Sequence, residues 1–94
     1  MIYEWDPAKA AANLKKHKVT FREAATAFTA PSALTFDDPD HSITERRFIT
    51  IGTSSRGRIL FLAHADWGDD RIRIISARRT TRSEAYAYQE SPKR

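Results

Sequence analysis

Ninety-four residues, 40% hydrophobic and 11% aromatic, suit one folded domain over residues 1–94 rather than a disordered chain. No apolar run approaches the roughly 18–20 residues of a membrane span, and the opening Met1-Ile2-Tyr3-Glu4-Trp5-Asp6 lacks a signal peptide's basic and apolar regions. The absence of cysteine excludes disulfides and thiolate metal sites and fits a cytoplasmic chain, while a net charge of +4 leaves a polyanion partner open.

The alternation of Ile2-Tyr3-Glu4-Trp5 predicts a short first strand. Asp6-Pro7 then opens a helix, with Asp as N-cap and Pro at the first helical position. Ala8, Ala11, Ala12 and Leu14 are expected on its apolar side, with Lys9, Asn13 and Lys16 elsewhere, and it stops near His17-Lys18 without a glycine. Thr20-Phe21-Arg22-Glu23 is a capping box opening a second helix, whose Phe21, Ala24, Ala25 and Phe28 recur at helical spacing. The short turn between them predicts a helical hairpin.

Ala30-Pro31 ends that helix. A strand is expected over Ala33–Phe36, followed by the acidic loop Asp37-Asp38-Pro39-Asp40-His41. The loop is compatible with a divalent ion or with a plain acidic turn around Pro39, and the residues call for no metal or cofactor. Three strands follow, Arg46 to Gly52, Arg58 to Asp66 and Arg71 to Ala77. They are joined by the turn-like stretches 52–57 and 67–70, which predicts an antiparallel meander. Thr81, followed three residues later by Glu84, forms another capping box, opening a last helix from about Arg82 to Glu90 that buries Ala85, Tyr86 and Tyr88. The tail Ser91-Pro92-Lys93-Arg94 is expected to fray. The order β-α-α-β-β-β-β-α is an α+β fold, with helices packed on one face of a mostly antiparallel sheet and the other face open to a ligand.

The charge is unevenly placed. Residues 1–55 hold seven Lys/Arg and seven Asp/Glu, whereas residues 56–94 hold nine and five, so the excess of four lies there. All seven basic residues from Arg56 to Arg82 are arginine, whose planar fork suits phosphate. Strict alternation puts Ile72, Ile74 and Ser76 on one face and Arg71, Arg73, Ile75 and Ala77 on the other. Arg78 and Arg79 fall at the head of the last helix, where free amides also favour an anion.

RNA cleavage without a metal needs a proton acceptor, a proton donor and cations on the phosphate. Arg78, Arg79 and Glu84 are candidates at the junction, and His64 is one within the apolar strand. Arg56, Arg58, Arg73 and Tyr86 are candidates for holding substrate. Each also has a plain structural reading. His64 is compatible with a core role, Arg78 and Arg79 with pairing to Asp69, Asp70 or Glu84, and Tyr86 and Tyr88 with packing. Trp5 and Trp67 read as packing and turn residues, with Trp67 also compatible with a partner contact. A non-catalytic module that holds nucleic acid or an acidic protein on the same surface stays open beside the nuclease.

Tyr3-Glu4-Trp5-Asp6-Pro7 with Lys9, then Asn13, Lys16-His17 and Thr20-Phe21-Arg22-Glu23-Ala24, resembles the opening of BrnT toxins. So do Asp37-Asp38-Pro39-Asp40-His41, Glu45-Arg46-Arg47-Phe48, Ile51-Gly52, and Ile72 to Arg78 with Glu84. Lys18 departs from the pattern, where a glycine is expected to end the first helix. The resemblance implies a RelE-like fold and a type II toxin, an endoribonuclease that blocks translation and arrests growth. It implies a BrnA-like ribbon-helix-helix antitoxin as partner, RNA as substrate, operator DNA bound only through the antitoxin complex, and no membrane. Of the candidates, Arg78 is carried over from the resemblance, and His64, Arg56, Arg58, Arg73, Arg79 and Glu84 rest on the chemistry above.

Overall fold

A computed structural model describes residues 1–38, 40, 45–66 and 70–90. The turn around Trp67, most of the acidic loop after Asp38 and the tail 91–94 lie outside the described residues.

The elements are β1 (Ile2–Glu4), α1 (Pro7–His17), α2 (Phe21–Phe28), β2 (Leu34–Asp37), β3 (Arg47–Thr53), β4 (Ile59–Asp66), β5 (Arg71–Arg79) and α3 (Arg82–Gln89). They form the expected α+β order. The strands make one sheet in the order β1-β5-β4-β3-β2, with β1 parallel to β5 and the other pairs antiparallel.

Each helix starts where its cap dictates. The Asp6 side chain accepts from the Ala8 N–H at 2.8 Å, with Pro7 in the first helical position. The Thr20 side chain accepts from the Glu23 N–H at 3.0 Å, but the box expected there is one-sided, because the Glu23 carboxylate turns inward to Ser54 and Arg58. At α3 the box is complete: the Thr81 hydroxyl accepts from the Glu84 N–H and the Glu84 carboxylate accepts from the Thr81 N–H. α1 ends at Lys18, which sits in the left-handed region at φ 61°. This is where the glycine was expected, and the conformation costs a residue with a Cβ about 1–2 kcal/mol.

α1 and α2 lie on one side of the sheet, over a core that includes Val19, Phe21, Ala24, Leu60, Leu62 and Ile74. Burying a side chain such as Phe21 contributes about 1.5–3 kcal/mol. Helix α2 approaches β3 at Gly52, where a Cβ would lie well inside 3.0 Å of the Ala27 carbonyl oxygen. The sheet face expected to stay open is covered in part. The alternate residues Ile49, Ile51, Ile59 and Phe61 are also apolar, and Tyr88 of α3 packs among them on the second side. On α3, Tyr88 is buried, Ala85 half-buried and Tyr86 exposed.

The expected face of α1 is also wrong. Ala8, Ala11, Ala12 and Leu14 are exposed, while Asn13 is buried. Its side chain donates to the Val19 and Ala77 carbonyls and accepts from the Ala77 N–H, at 3.0, 2.8 and 3.0 Å. Three hydrogen bonds satisfy the amide and make burying it tolerable.

Candidate nucleic-acid interface

The site begins with an irregularity in β5. Ala63 pairs with Ser76 but the next residue of β4, His64, pairs with Ile74, which leaves Ile75 as the extra residue of a β-bulge. The bulge resets the alternation. Ile72, Ile74 and Ala77 point to the side of the helical hairpin, while Arg71, Arg73, Ser76 and Arg78 share the side of α3. The strict alternation expected from the sequence placed Ser76 and Ala77 on the wrong faces. An unbroken strand would separate Arg73 from Arg78, and the bulge reunites them.

Arg78 is held on three sides. Its guanidinium lies over the Phe61 ring at 4.0 Å from the centroid. NH1 and NH2 donate to the two Glu84 carboxylate oxygens at 2.9 and 3.0 Å, and NH1 also donates to the Arg79 carbonyl at 3.1 Å. The hydrogen bond from Arg78 is the main reason the Glu84 carboxyl falls to about 2, and the same bond holds the Arg78 guanidinium above its ordinary value. Glu84 is thus a permanent carboxylate near neutral pH, shared between Arg78 and the cap of α3.

The remaining candidates divide. Arg73 is half-buried on the side of α3, in register with Glu4 of β1 and Ala65 of β4. Arg58 instead belongs to the side of α2. Its guanidinium is bonded to the Glu23 carboxylate through Nε at 2.9 Å and through NH2, and Ser54 donates to the same carboxylate at 2.7 Å. That bond from Arg58 is the leading cause of the lowered Glu23 carboxyl. Arg56 approaches Glu23 at 3.9 Å and is otherwise exposed. Arg79 is exposed and in register with Leu60, which puts it on the hairpin side. At the end of the sheet Arg58 and Arg79, with Thr80 and Arg82 at the head of α3, border a cleft of 310 Å³ that neither Arg73 nor Arg78 lines. Tyr86 stands out from α3, one turn after Arg82, and both border a shallow depression with Ser83.

His64 lies apart from this surface. It is 3% exposed, on the hairpin side of the sheet, with its ring edge-on to Phe28 and stacked on Phe48. Its Nε2 is 2.8 Å from the Thr50 hydroxyl, and Asp66 lies 3.7 Å from Nδ1. Burial lowers its pKa, with Asp66 acting in the opposite direction. A histidine enclosed in this way supports the sheet and does not reach a substrate on the face of Arg78. Among the described residues no group of three or more His, Asp or Glu side chains is placed to hold a metal ion.

Sequence reasoning missed Asn13, Phe61 and the inward role of Glu23. The asparagine carried a signal, a side chain able to satisfy backbone groups in the middle of an alanine-rich helix. Its partner is 64 residues away.

The sequence matches the family described as "Ribonuclease toxin, BrnT, of type II toxin-antitoxin system" over residues 5–84. No curated protein matches it. Among solved structures, the fold is similar to that of the Brucella abortus ribonuclease toxin BrnT, with a TM-score of 0.66 and 21% identity, covering 87% of this chain and 100% of that one. With a match that takes in all three helices' starts and the four strands between them, the chain belongs to the BrnT family of ribonuclease toxins of type II toxin–antitoxin systems.

Proposed function

We propose that the chain is an endoribonuclease that cleaves RNA by general acid–base catalysis without a metal, blocks translation and is held in check by a protein antitoxin. The observation that supports this most directly is the seat of Arg78, a guanidinium fixed between the Phe61 ring and the Glu84 carboxylate at the head of α3. A preorientated cation of this kind stabilises the charge that gathers on a phosphate as a 2′-hydroxyl attacks it.

Glu84 has a second part in this reading. Its low basicity comes first from the bond to Arg78. A phosphate that engages Arg78 weakens that bond, so the carboxylate regains affinity for a proton as the 2′-hydroxyl must lose one. Arg73 extends the cationic surface on the side of α3, Arg79, Arg56 and Arg58 lie round the end of the sheet on the other side, and Tyr86 offers a ring for a base to stack on. Arg58 contributes less of its charge than the others, being committed to Glu23. The partner is a BrnA-like ribbon-helix-helix antitoxin, with operator DNA bound through the complex, and the setting is the cytoplasm. No helix among the described residues is long and apolar enough to cross a membrane.

The test is incubation of the purified chain with RNA in excess chelator, beside the Arg78→Ala variant. Strand scission that survives the chelator and disappears with Arg78 is the expected result. Retardation of RNA without scission gives the site to a binding module, and scission abolished by the chelator removes the metal-free mechanism.

A further inference from the structure

We infer that Asn13 of α1 is a positioning residue for Arg78, acting as a one-residue substitute for a neighbouring strand. The inference rests on the ribonuclease reading of the Arg78 site. On its outer edge β5 pairs with β1 as far as the Glu4–Arg73 register, where β1 ends. Beyond that point Asn13 meets the edge at Ala77, with its Oδ1 accepting from the Ala77 N–H and its Nδ2 donating to the Ala77 carbonyl. This is the pair of bonds that the N–H and C=O of one residue on an adjacent antiparallel strand make. The second Nδ2 bond, to the Val19 carbonyl, ties the clamp to the turn between α1 and α2.

The position of the clamp gives it its importance. It grips the residue immediately before Arg78 and two residues after the bulge at Ile75. A bulge leaves the ladder locally disrupted, and a strand that slips by one residue exchanges its faces. If Ile75 took the place of Ser76 opposite Ala63, Arg78 would move from Phe61 to Leu60, on the hairpin side of the sheet. Asn13, 7% exposed, holds Ala77 in both directions along the edge and so fixes the phase in which Arg78 reaches Phe61 and Glu84.

Cleavage of a defined RNA oligonucleotide by Asn13→Ala and Asn13→Asp tests this, with Val19→Ala as a control that loosens the same turn but keeps its backbone carbonyl and both Asn13 bonds to Ala77. Displacement of a catalytic group by about 1 Å costs on the order of 100-fold, so kcat is expected to fall about 10- to 100-fold in both Asn13 variants while KM stays within about threefold. Val19→Ala is expected to keep the wild-type kcat at a comparable loss of thermal midpoint. Equal kcat in all three at matched temperature below their midpoints overturns the inference. A second measurement does not depend on the Asn13 variants folding: in the Arg78→Ala chain, the Ala77 amide should exchange its hydrogen with the slow core class. Exchange as fast as at the strand ends overturns the clamp. If the wild type cleaves nothing, or Arg78→Ala cleaves normally, the ribonuclease reading itself fails, and the amide exchange still decides whether the clamp exists.

Discussion

Arg78 and Glu84 meet fork to fork, NH1 to Oε1 at 2.9 Å and NH2 to Oε2 at 3.0 Å, and so join the end of β5 to the first turn of α3. Glu84→Gln keeps an acceptor for the Thr81 N–H but loses the charge that orients Arg78. A stability loss of about 1 kcal/mol is expected, with a fall in cleavage of at least about tenfold. Denaturant titration and initial rates on one RNA check both. The acid dependence has a definite window. The folded carboxyl, at about 2, lies below its ordinary 4.5, so its stabilisation is complete above 4.5 and is lost as the pH falls through about 2. The stability gap between wild type and Glu84→Gln should narrow over that interval.

His64 faces the core. Burial puts its folded pKa below the ordinary 6.5, so the unfolded chain takes up a proton first and stability falls as the pH drops below 6.5 through the folded value. His64→Gln, which retains an amide for Thr50, should flatten this decline. It should also leave the pH profile of RNA cleavage unchanged, a result read from kcat/KM between pH 5 and 8.

Arg58 and Glu23 make a nearly enclosed pair, with side chains 20% and 5% exposed. Arg58→Ala leaves a buried carboxylate without its main partner and is expected to cost about 3 kcal/mol. The double variant Glu23→Gln with Arg58→Met should recover much of that loss in urea unfolding. An effect of Arg58→Ala on cleavage that vanishes in the double variant assigns Arg58 to the scaffold.

Lys18 holds the left-handed position that closes α1, with its N–H donating to the Leu14 carbonyl at 2.9 Å. Lys18→Gly removes the Cβ conflict and should stabilise the chain by about 1 kcal/mol without altering cleavage. A lower thermal midpoint in that variant refutes this account of the turn.

Much of the fold was legible from local chemistry. Asp6-Pro7 and the Thr81–Glu84 box mark the helix starts at which the backbone begins to turn, because a cap answers to residues only two or three positions away. The meander from β3 to β5 follows from apolar runs divided by turn residues. The readings that failed depend on partners distant in sequence. Asn13 looked like part of a solvated helix face because Ala77 is invisible from α1. Glu23 looked like a cap because Arg58 and Ser54 arrive from another strand. The site was legible in composition, as arginines gathered on one strand-to-helix junction. It was not legible in geometry, because no pattern of alternating residues reveals the extra residue at Ile75.

That extra residue has a consequence for the length of the chain. Arg73 and Arg78 are five positions apart in the sequence, yet the sheet counts them as four. Deleting Ile75 would leave a regular strand with both guanidinium groups still on their present side, whereas inserting one residue while the bulge is kept, or removing Ile75 and one neighbour, would send them to opposite sides. Relatives that use this pair are therefore free to shorten the interval by this one amino acid, because the number of ladder steps between the two arginines, and not the number of residues, decides whether they share one surface.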